Sequence, residues 1–247
     1  MSPSTTPPSP FDRHLRLAGT RNLRDVGGYP AGPGRQTRWR TLFRSDALDL
    51  LPIESQEALL GLGVRLVIDL RWPVEIEARP SVFLDSGAVR YVSLPLHDDR
   101  PEPTGGVPAS YRAILDGRGG QFAAVGRALL QPGGLPAVVG CTAGLDRTGL
   151  TIALLLSVVG VPPEVVAADY ALSAASFATD GGESGLGDWR SGPVAVDCIP
   201  QYMVGALDHL GTRYGGAAAF LARHGLSTAD VARLRKLLTE PSEDEAR

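Results

Sequence analysis

The sequence predicts an α/β fold in which a central, mostly parallel sheet is flanked by helices and followed by a C-terminal helical cluster. Short apolar, β-branched runs alternate with helix-like segments up to about residue 140, and only helix-like segments follow. Such alternation is typical of parallel sheets built from strand–helix–strand units. The length of 247 residues and the 43% of hydrophobic residues fit one domain with a sizeable core.

The strands and helices can be placed in order along the chain. Four runs have the composition of short strands, namely TLFRS (41–45), VRLVIDL (64–70), VRYVSLPL (89–96) and PAVVG (136–140). Pro or Gly residues delimit the two helix-like segments between them, PIESQEALLGLG (52–63) and GGQFAAVGRALLQPGG (119–134). The predicted helical cluster comprises residues 148–160, 162–176, 199–215, 217–225 and 227–240.

The remaining stretches are predicted to lie outside regular structure. Residues 1–12 are rich in Pro, Ser and Thr and are expected to form a disordered leader, and residues 241–247 an acidic tail. The folded domain is therefore expected to span 13–240. Two stretches rich in Gly and Pro, 97–110 and 179–193, are predicted to be long loops.

Composition excludes several classes of function. The net charge of −3 gives no basic field for nucleic acid, and no apolar run approaches the ~20 residues of a membrane span. The four histidines are scattered, so we expect neither a metal site nor a bound cofactor. Two cysteines, Cys141 and Cys198, make no disulfide framework, which favours a cytoplasmic protein. The oligomeric state is left open.

The stretch VVGCTAGLDRTGL (138–150) carries the chemistry. A short strand ends just before Cys141, and an apolar helix is predicted to begin near Thr148. A loop at a helix N-terminus directs unpaired N–H groups into one concavity, and the helix dipole adds partial positive charge there. Such a loop can bind one phosphate group and favours thiolate over thiol.

Individual roles follow from this arrangement. Cys141 is the candidate nucleophile, Arg147 can hold two phosphate oxygens with its planar fork, and the Thr148 hydroxyl can donate to the thiolate. The predicted phosphate-binding residues are Thr142, Ala143, Gly144, Leu145, Asp146, Arg147 and Thr148.

The Cys-x5-Arg-Thr pattern resembles the loop of the cysteine-dependent protein tyrosine phosphatase superfamily. Further blocks resemble the tyrosine phosphatase–like family of bacteria and fungi, a group that includes a secreted mycobacterial phosphatase of protein and lipid substrates. These blocks are RNLRDVGGY (21–29), LFRSDAL (42–48), VIDLR (67–71) and AADYALSAA (167–175). They occur in the expected order, and the resemblance spans roughly 14–239.

The resemblance implies the cysteine-based phosphatase fold and a metal-independent phosphocysteine mechanism. The substrate would be a phosphorylated protein or a small phosphomonoester. The mechanism also needs an aspartic acid as general acid and base. Asp146 within the loop is the first candidate, and Asp69 at a strand end is the second. Asp98 and Asp99, in the presumed lid, come third.

Two residues depart from the family pattern, which commonly reads His-Cys-x-x-Gly-Lys-Asp-Arg. Gly140 replaces the histidine, which predicts a less stabilised thiolate and a weaker enzyme. Leu145 replaces the lysine, which removes a cation from the expected pocket rim and favours a neutral or apolar substrate moiety.

Other interpretations remain open at this stage. Asp146 can also be interpreted as a helix N-cap, and Asp69 can be interpreted as an ion-pair partner of Arg71 or Arg44. The chain could also be a phosphate-binding module without turnover, or a redox sensor in which Cys141 is oxidised or forms a disulfide with Cys198.

Overall fold

A computed structural model describes residues 12–96, 105–177 and 198–242 and confirms the predicted α/β architecture. Its strands are β1 (Arg24–Asp25), β2 (Arg35–Thr37), β3 (Leu42–Ser45), β4 (Leu66–Asp69), β5 (Arg90–Ser93), β6 (Ala137–Gly140) and β7 (Thr239–Pro241). The main sheet has the order β1-β3-β6-β4-β5, in which only the edge strand β1 is antiparallel. All four strands predicted from apolar runs belong to it.

The helices flank this sheet and form the C-terminal cluster. Their bounds are α1 (Ile53–Gly61), α2 (Pro73–Ala78), α3 (Gly106–Gly117), α4 (Gly119–Leu130), α5 (Asp146–Val159), α6 (Pro163–Ala171), α7 (Ser173–Phe177), α8 (Pro200–Tyr214), α9 (Ala217–Arg223) and α10 (Thr228–Leu238). The helix predicted over 162–176 is divided into α6 and α7, and the helix predicted from 148 begins two residues earlier.

Helix α3 corrects the prediction of a loop over 97–110. Residues from Gly106 onward are helical, and the apolar face of α3 buries Tyr111, Ile114 and Leu115. Its Gly and Pro residues suggested a loop, but Pro108 lies in the first turn, where a missing N–H breaks no helical hydrogen bond. The short helix α2 was not predicted either, although Pro73 at its first position and Glu75 at its third are start signals.

Strand β6 is the centre of the sheet and delivers the chain to the 141–147 loop. Gly140, its last residue, is in register with Ser45 of β3 and Asp69 of β4, so three parallel strands end at one edge. Val138 packs into the smaller of two clusters of buried side chains. Val139 packs into the larger cluster, to which most of the helices contribute side chains. The alternation shows that both faces of the sheet are covered.

Ordered contacts extend to the last described residue of the C-terminal region. β7 pairs with β2, and the Ser242 N–H donates to Gly34 O at 2.9 Å, so ordered contacts continue two residues beyond 240. The predicted leader up to residue 11, the predicted 179–193 loop and residues 243–247 lie outside the described residues. None of the helices described is long and apolar enough to cross a membrane.

Helix α10 offers a matched test of the helical cluster. Leu234 is fully buried in the core, whereas Leu237 on the same helix is 40% exposed. We expect Leu234→Ala to lower the free energy of unfolding by about 2–5 kcal/mol, because it leaves a cavity. Leu237→Ala should cost about 1 kcal/mol or less. Urea unfolding followed by circular dichroism measures both, and equal losses would contradict the packing described.

Candidate active site

The 141–147 loop lies where the central strand ends and α5 begins. Cys141 follows β6 directly and is 2% exposed, and Asp146 is the first residue of α5. Leu145 occupies the N-cap position without a capping side chain, so Asp146 is not the N-cap. Cys141 and Cys198 are both free thiols. The nucleophile candidate is therefore buried at the carboxyl edge of the sheet, beside a helix N-terminus.

The N–H and C=O groups of the loop main chain point to opposite sides of the loop. Among the described residues, the N–H groups from Thr142 to Leu145 donate to no protein acceptor. The carbonyl oxygens of Ala143 and Gly144 accept from Asn22 Nδ2 at 3.0 and 3.1 Å, and Gly144 O also accepts from Arg44 Nη2 at 2.8 Å. Because C=O and N–H point in opposite directions across a trans peptide, these contacts turn the following N–H groups toward the other side of the loop.

Two glycines let the loop sit directly on the end of β3. Gly144 has a φ of +68°, and a Cβ there would lie 2.5 Å from Ser45 O. At Gly140 a Cβ would lie 3.2 Å from Asp46 O and 3.3 Å from Ser45 O. A histidine at position 140 would therefore have to displace backbone, which gives Gly140 a packing reason in this chain.

Arg147 is held by a residue that the sequence analysis did not single out, Glu75 of α2. Its Nη1 donates to Glu75 Oε2 at 2.6 Å and its Nη2 to Glu75 Oε1 at 3.0 Å. The Thr142 hydroxyl accepts from Arg147 Nη2 and donates to Glu75. Burial alone would raise the pKa of Glu75, but the hydrogen bonds from Arg147 and Thr142 outweigh it and lower this pKa to about 2.

A buried ionic cluster lies beneath the loop. Asp169 of α6 accepts from Arg44 Nη1 at 2.5 Å and from Arg24 Nε at 3.2 Å, and Tyr29 donates its hydroxyl at 2.9 Å. Burial would raise the pKa of Asp169, but the charges of Arg44 and Arg24 hold it well below the usual range. Residues of the RNLRDVGGY block therefore support the loop from below.

Asp146 is connected to two buried tyrosines. The Tyr111 hydroxyl donates to Asp146 Oδ1 at 2.6 Å, and the hydroxyl of Tyr170 lies 2.9 Å from that of Tyr111. Burial and then the charge of Asp146 raise the pKa of Tyr111, so this tyrosine remains a hydrogen-bond donor. Asp146 thus faces the same opening as Arg147, with one carboxylate oxygen held by α3.

Asp69 is engaged in a different contact. Its carboxylate accepts from Arg71 Nε at 3.0 Å and Nη2 at 2.7 Å, and Tyr91 donates its hydroxyl at 2.6 Å. Only 5% of Asp69 is exposed. Of the two ion-pair partners considered from sequence, Arg71 is the partner and Arg44 is bound to Asp169 instead.

Two further expectations about the loop are wrong. The Thr148 hydroxyl is buried and has no hydrogen-bond partner among the described residues, so its predicted hydrogen bond to Cys141 is not formed. Leu145 is 7% exposed and packs in the larger core cluster, so its side chain does not line a pocket rim.

A cavity of about 680 Å³ opens beside the loop. Its polar groups include Glu75, Asp146 and Arg147, and its apolar and aromatic wall includes Trp72, Val74, Val107, Tyr111 and Ile114. Arg147 is the single basic residue of the wall as far as the described residues define it. Within the same residues, no three His, Cys, Asp or Glu side chains come together as a metal site would require.

Several of these residues could not be assigned to the site from local sequence. Asn22 and Asp169 lie in the blocks that carried the family resemblance, but Glu75 and Tyr111 lie outside them. Tyr111 follows the stretch interpreted as a loop, and Glu75 carries only the weak signal of a helix start. Asp98 and Asp99 lie outside the described residues.

The lowered pKa of Glu75 gives a pH-dependent contribution to stability. A carboxylate whose pKa falls from 4.5 to about 2 on folding stabilises the protein above about pH 4.5, and this contribution is lost as the pH falls toward 2. We expect Glu75→Gln to lower the free energy of unfolding at pH 6 by roughly 1–3 kcal/mol and to remove this part of the acid dependence.

Urea unfolding at pH 6, 4 and 3 measures this effect. The exposed Glu77 on the same helix provides the matched control, and Glu77→Gln should leave the acid dependence unchanged. If wild type and Glu75→Gln lose stability in parallel between pH 6 and 3, the ion pair with Arg147 does not contribute as described.

Comparison with known proteins agrees with the geometry. The profile of the tyrosine phosphatase family matches residues 15–240. The triple specificity protein phosphatase PtpB of Mycobacterium tuberculosis is 26% identical over 280 aligned positions, which cover 90% of this chain and 98% of that protein. A tyrosine-protein phosphatase of Nostoc commune is 28% identical over 211 positions, covering 78% and 72%.

A Cupriavidus necator protein, named provisionally as a tyrosine-protein phosphatase, is 30% identical over 162 positions, and the match spans 60% of this chain and 59% of that relative. Among solved structures, TpbA of P. aeruginosa is 21% identical over 86% of this chain and 96% of its own, with a TM-score of 0.34 that adds nothing to the assignment. The match over residues 15–240 decides it: the chain belongs to the tyrosine phosphatase family and is a cysteine-based enzyme of the protein-tyrosine-phosphatase type.

Proposed function

We propose that the chain hydrolyses phosphate monoesters through a phosphocysteine formed on Cys141. The observation that carries this proposal is the convergence of Cys141, the unpaired N–H groups of its loop and Arg147 at the end of the central strand. Burial alone would lower the pKa of Arg147, but the hydrogen bond to Glu75 and the charge of Cys141 raise it. Cys141 and Arg147 both belong to the segment that joins β6 to the first turn of α5, where one phosphoryl group could contact both.

The reaction proceeds in two displacements. The Cys141 thiolate attacks phosphorus, the bond from phosphorus to the ester oxygen breaks, and that oxygen takes a proton from Asp146. In the second step the Asp146 carboxylate removes a proton from water, whose oxygen attacks phosphorus. The sulfur–phosphorus bond then breaks, which releases inorganic phosphate and restores the thiolate.

Arg147 and the loop amides stabilise the charge on the phosphoryl oxygens during both steps. Glu75 and Thr142 bind the terminal nitrogens of Arg147, and its Nε–H has no acceptor among the described residues. That N–H remains available to a phosphate oxygen. A guanidinium held from one side in this way loses little freedom when substrate binds.

Asp146 is the better supported acid and base of the two described candidates. It lines the cavity next to Arg147, and the Tyr111 hydroxyl holds its carboxylate by a hydrogen bond of 2.6 Å. Asp69 is 5% exposed, and its carboxylate is bound by the cation of Arg71. Removing a proton from water or donating one to substrate would require Asp69 to break this ion pair, so we assign it a supporting role for β4.

The cavity favours an aryl phosphate as substrate. Trp72, Val74 and Ile114 offer apolar contacts, and the described part of the wall adds the acidic groups Glu75 and Asp146 and, besides Arg147, no further cation. A phosphotyrosine side chain of a protein fits this chemistry. PtpB, a relative of this chain, is named as a protein phosphatase. A small phosphorylated metabolite with a neutral body is the second candidate. We expect the protein to act in the cytoplasm, since both cysteines are free thiols.

The covalent step is tested with Cys141→Ser, using para-nitrophenyl phosphate in the presence of EDTA. We expect wild type to turn over and Cys141→Ser to lose activity by more than about 10³-fold, since the alkoxide it would need forms poorly at neutral pH. Rapid acid quench and mass spectrometry should find the phosphoryl group on Cys141 in wild type. Cys198→Ser, the other buried cysteine, serves as the control and should stay active. Equal activity in Cys141→Ser would refute the mechanism, and silence in wild type would point to a phosphate-binding module without turnover.

The assignment of the acid is tested by a leaving-group series. We expect Asp146→Asn to slow the hydrolysis of phenyl phosphate by about 10²–10⁴-fold and that of para-nitrophenyl phosphate much less, because nitrophenolate leaves without protonation. Asp69→Asn should change both rates by the same factor, since it acts through the position of β4. The reverse pattern, with the leaving-group dependence in Asp69→Asn, would make Asp69 the acid.

A further inference from the structure

Asn22 lies directly beneath the 141–147 loop, although it is 121 positions away from Ala143 in sequence. It follows the first residue of the RNLRDVGGY block and is 1% exposed. Its backbone N–H donates to Asp46 Oδ1 at 3.2 Å, which holds the residue against the segment after β3. Asn22 is therefore a buried polar side chain fixed at both its main chain and its amide.

The orientation of the Asn22 amide follows from the chemistry of its neighbours. Its Oδ1 accepts hydrogen bonds from Arg24 Nη1 and, at 3.2 Å, from the Ser176 hydroxyl. Because a guanidinium can only donate, the oxygen must face Arg24 and the NH₂ group must face the loop. Asn22 Nδ2 then donates to Ala143 O at 3.0 Å and to Gly144 O at 3.1 Å.

These two carbonyls determine where the next two N–H groups point. A trans peptide places the N–H of residue i+1 opposite the C=O of residue i. With the Ala143 and Gly144 oxygens directed down to Asn22, the N–H groups of Gly144 and Leu145 are directed up, to the open side of the loop. Gly144 O has a second donor in Arg44, whereas Asn22 is the donor recorded for Ala143 O among the described residues.

We propose that Asn22 is a positioning residue that aims the N–H groups of Gly144 and Leu145 at the bound phosphate and at the Cys141 thiolate. The inference rests on the proposed function for its catalytic consequence, but its effect on the thiolate can be measured without turnover. Asn22 touches neither substrate nor sulfur, and it acts through the orientation of two peptide groups.

The test variant is Asn22→Asp, examined in a Cys198→Ser background so that alkylation reports on Cys141. Aspartate has the same size and still accepts from Arg24 and Ser176, but its carboxylate cannot donate to the two carbonyls and adds negative charge below the loop. We expect the pH dependence of the alkylation rate with iodoacetamide to shift to higher pH. The rate at pH 6 should fall by up to about tenfold. Binding of inorganic phosphate should weaken by a similar factor.

Ser176→Ala is the matched control. It removes the hydroxyl that donates to Asn22 Oδ1 and leaves both hydrogen bonds from Asn22 Nδ2 to the loop in place. The alkylation profile and the phosphate binding of this variant should therefore equal those of wild type. If Asn22→Asp does not fold, Asn22→Ala removes the donor without adding charge and takes its place. For each variant, kcat and KM for para-nitrophenyl phosphate are measured alongside, with a fall in kcat/KM of at least about tenfold expected.

The outcomes separate the two proposals. A folded Asn22 variant with an unchanged alkylation profile and unchanged phosphate binding overturns the positioning role, whatever its stability. A shifted profile together with weaker phosphate binding supports it, even if wild type proves inactive toward phosphate esters. In that case the proposed function fails while Asn22 still orients an anion-binding loop.

Discussion

The carboxylate of Asp169 binds two buried arginines, and the geometry of the site depends on this contact. Arg24 comes from β1 and Arg44 from β3, and both are inaccessible to solvent. Buried charges are tolerated only when they are paired and hydrogen-bonded, because desolvation costs several kcal/mol per ion. Asp169 therefore holds two strands against α6, and the second arginine leaves one positive charge directly beneath the loop that receives an anion.

A chain of hydrogen bonds connects this ionic cluster to the 141–147 loop. Arg24 fixes the oxygen of Asn22, Asn22 and Arg44 turn the carbonyls of Ala143 and Gly144 downward, and the loop N–H groups face the opening. On the other side, Glu75 holds Arg147. The supports come from the segment that leads into β1, from β3 and from α2. Strands β3 and β4 both lead to this place because parallel strands end at the same edge of the sheet.

Much of the fold and of the site could be predicted from local sequence. Three of the four main strands, β3, β4 and β6, are buried along their whole length, and β5 at the edge of the sheet is partly exposed. The cysteine–arginine loop lies between a strand and a helix, as its composition indicated. The errors have physical causes. The Gly and Pro residues that begin α3 fit a first helical turn as well as a loop. Thr148 was expected to donate to Cys141 and Leu145 to lie at a pocket rim, but tertiary packing buries both side chains, Thr148 without a hydrogen-bond partner among the described residues and Leu145 in the larger core cluster.

The sequence by itself determined the fold class and the membership of the family, and it supplied Cys141 and Arg147 as the candidate nucleophile and phosphate-binding arginine, because these depend on patterns within a few neighbouring residues. Only the tertiary structure decided which carboxylate serves which purpose. Asp69, Asp146, Asp169 and Glu75 are alike as side chains. Asp69 pairs with Arg71, two positions away, whereas long-range packing brings Tyr111 to Asp146, two arginines to Asp169 and Arg147 to Glu75. No local pattern encodes these long-range partners, of which the most distant lies 145 positions away.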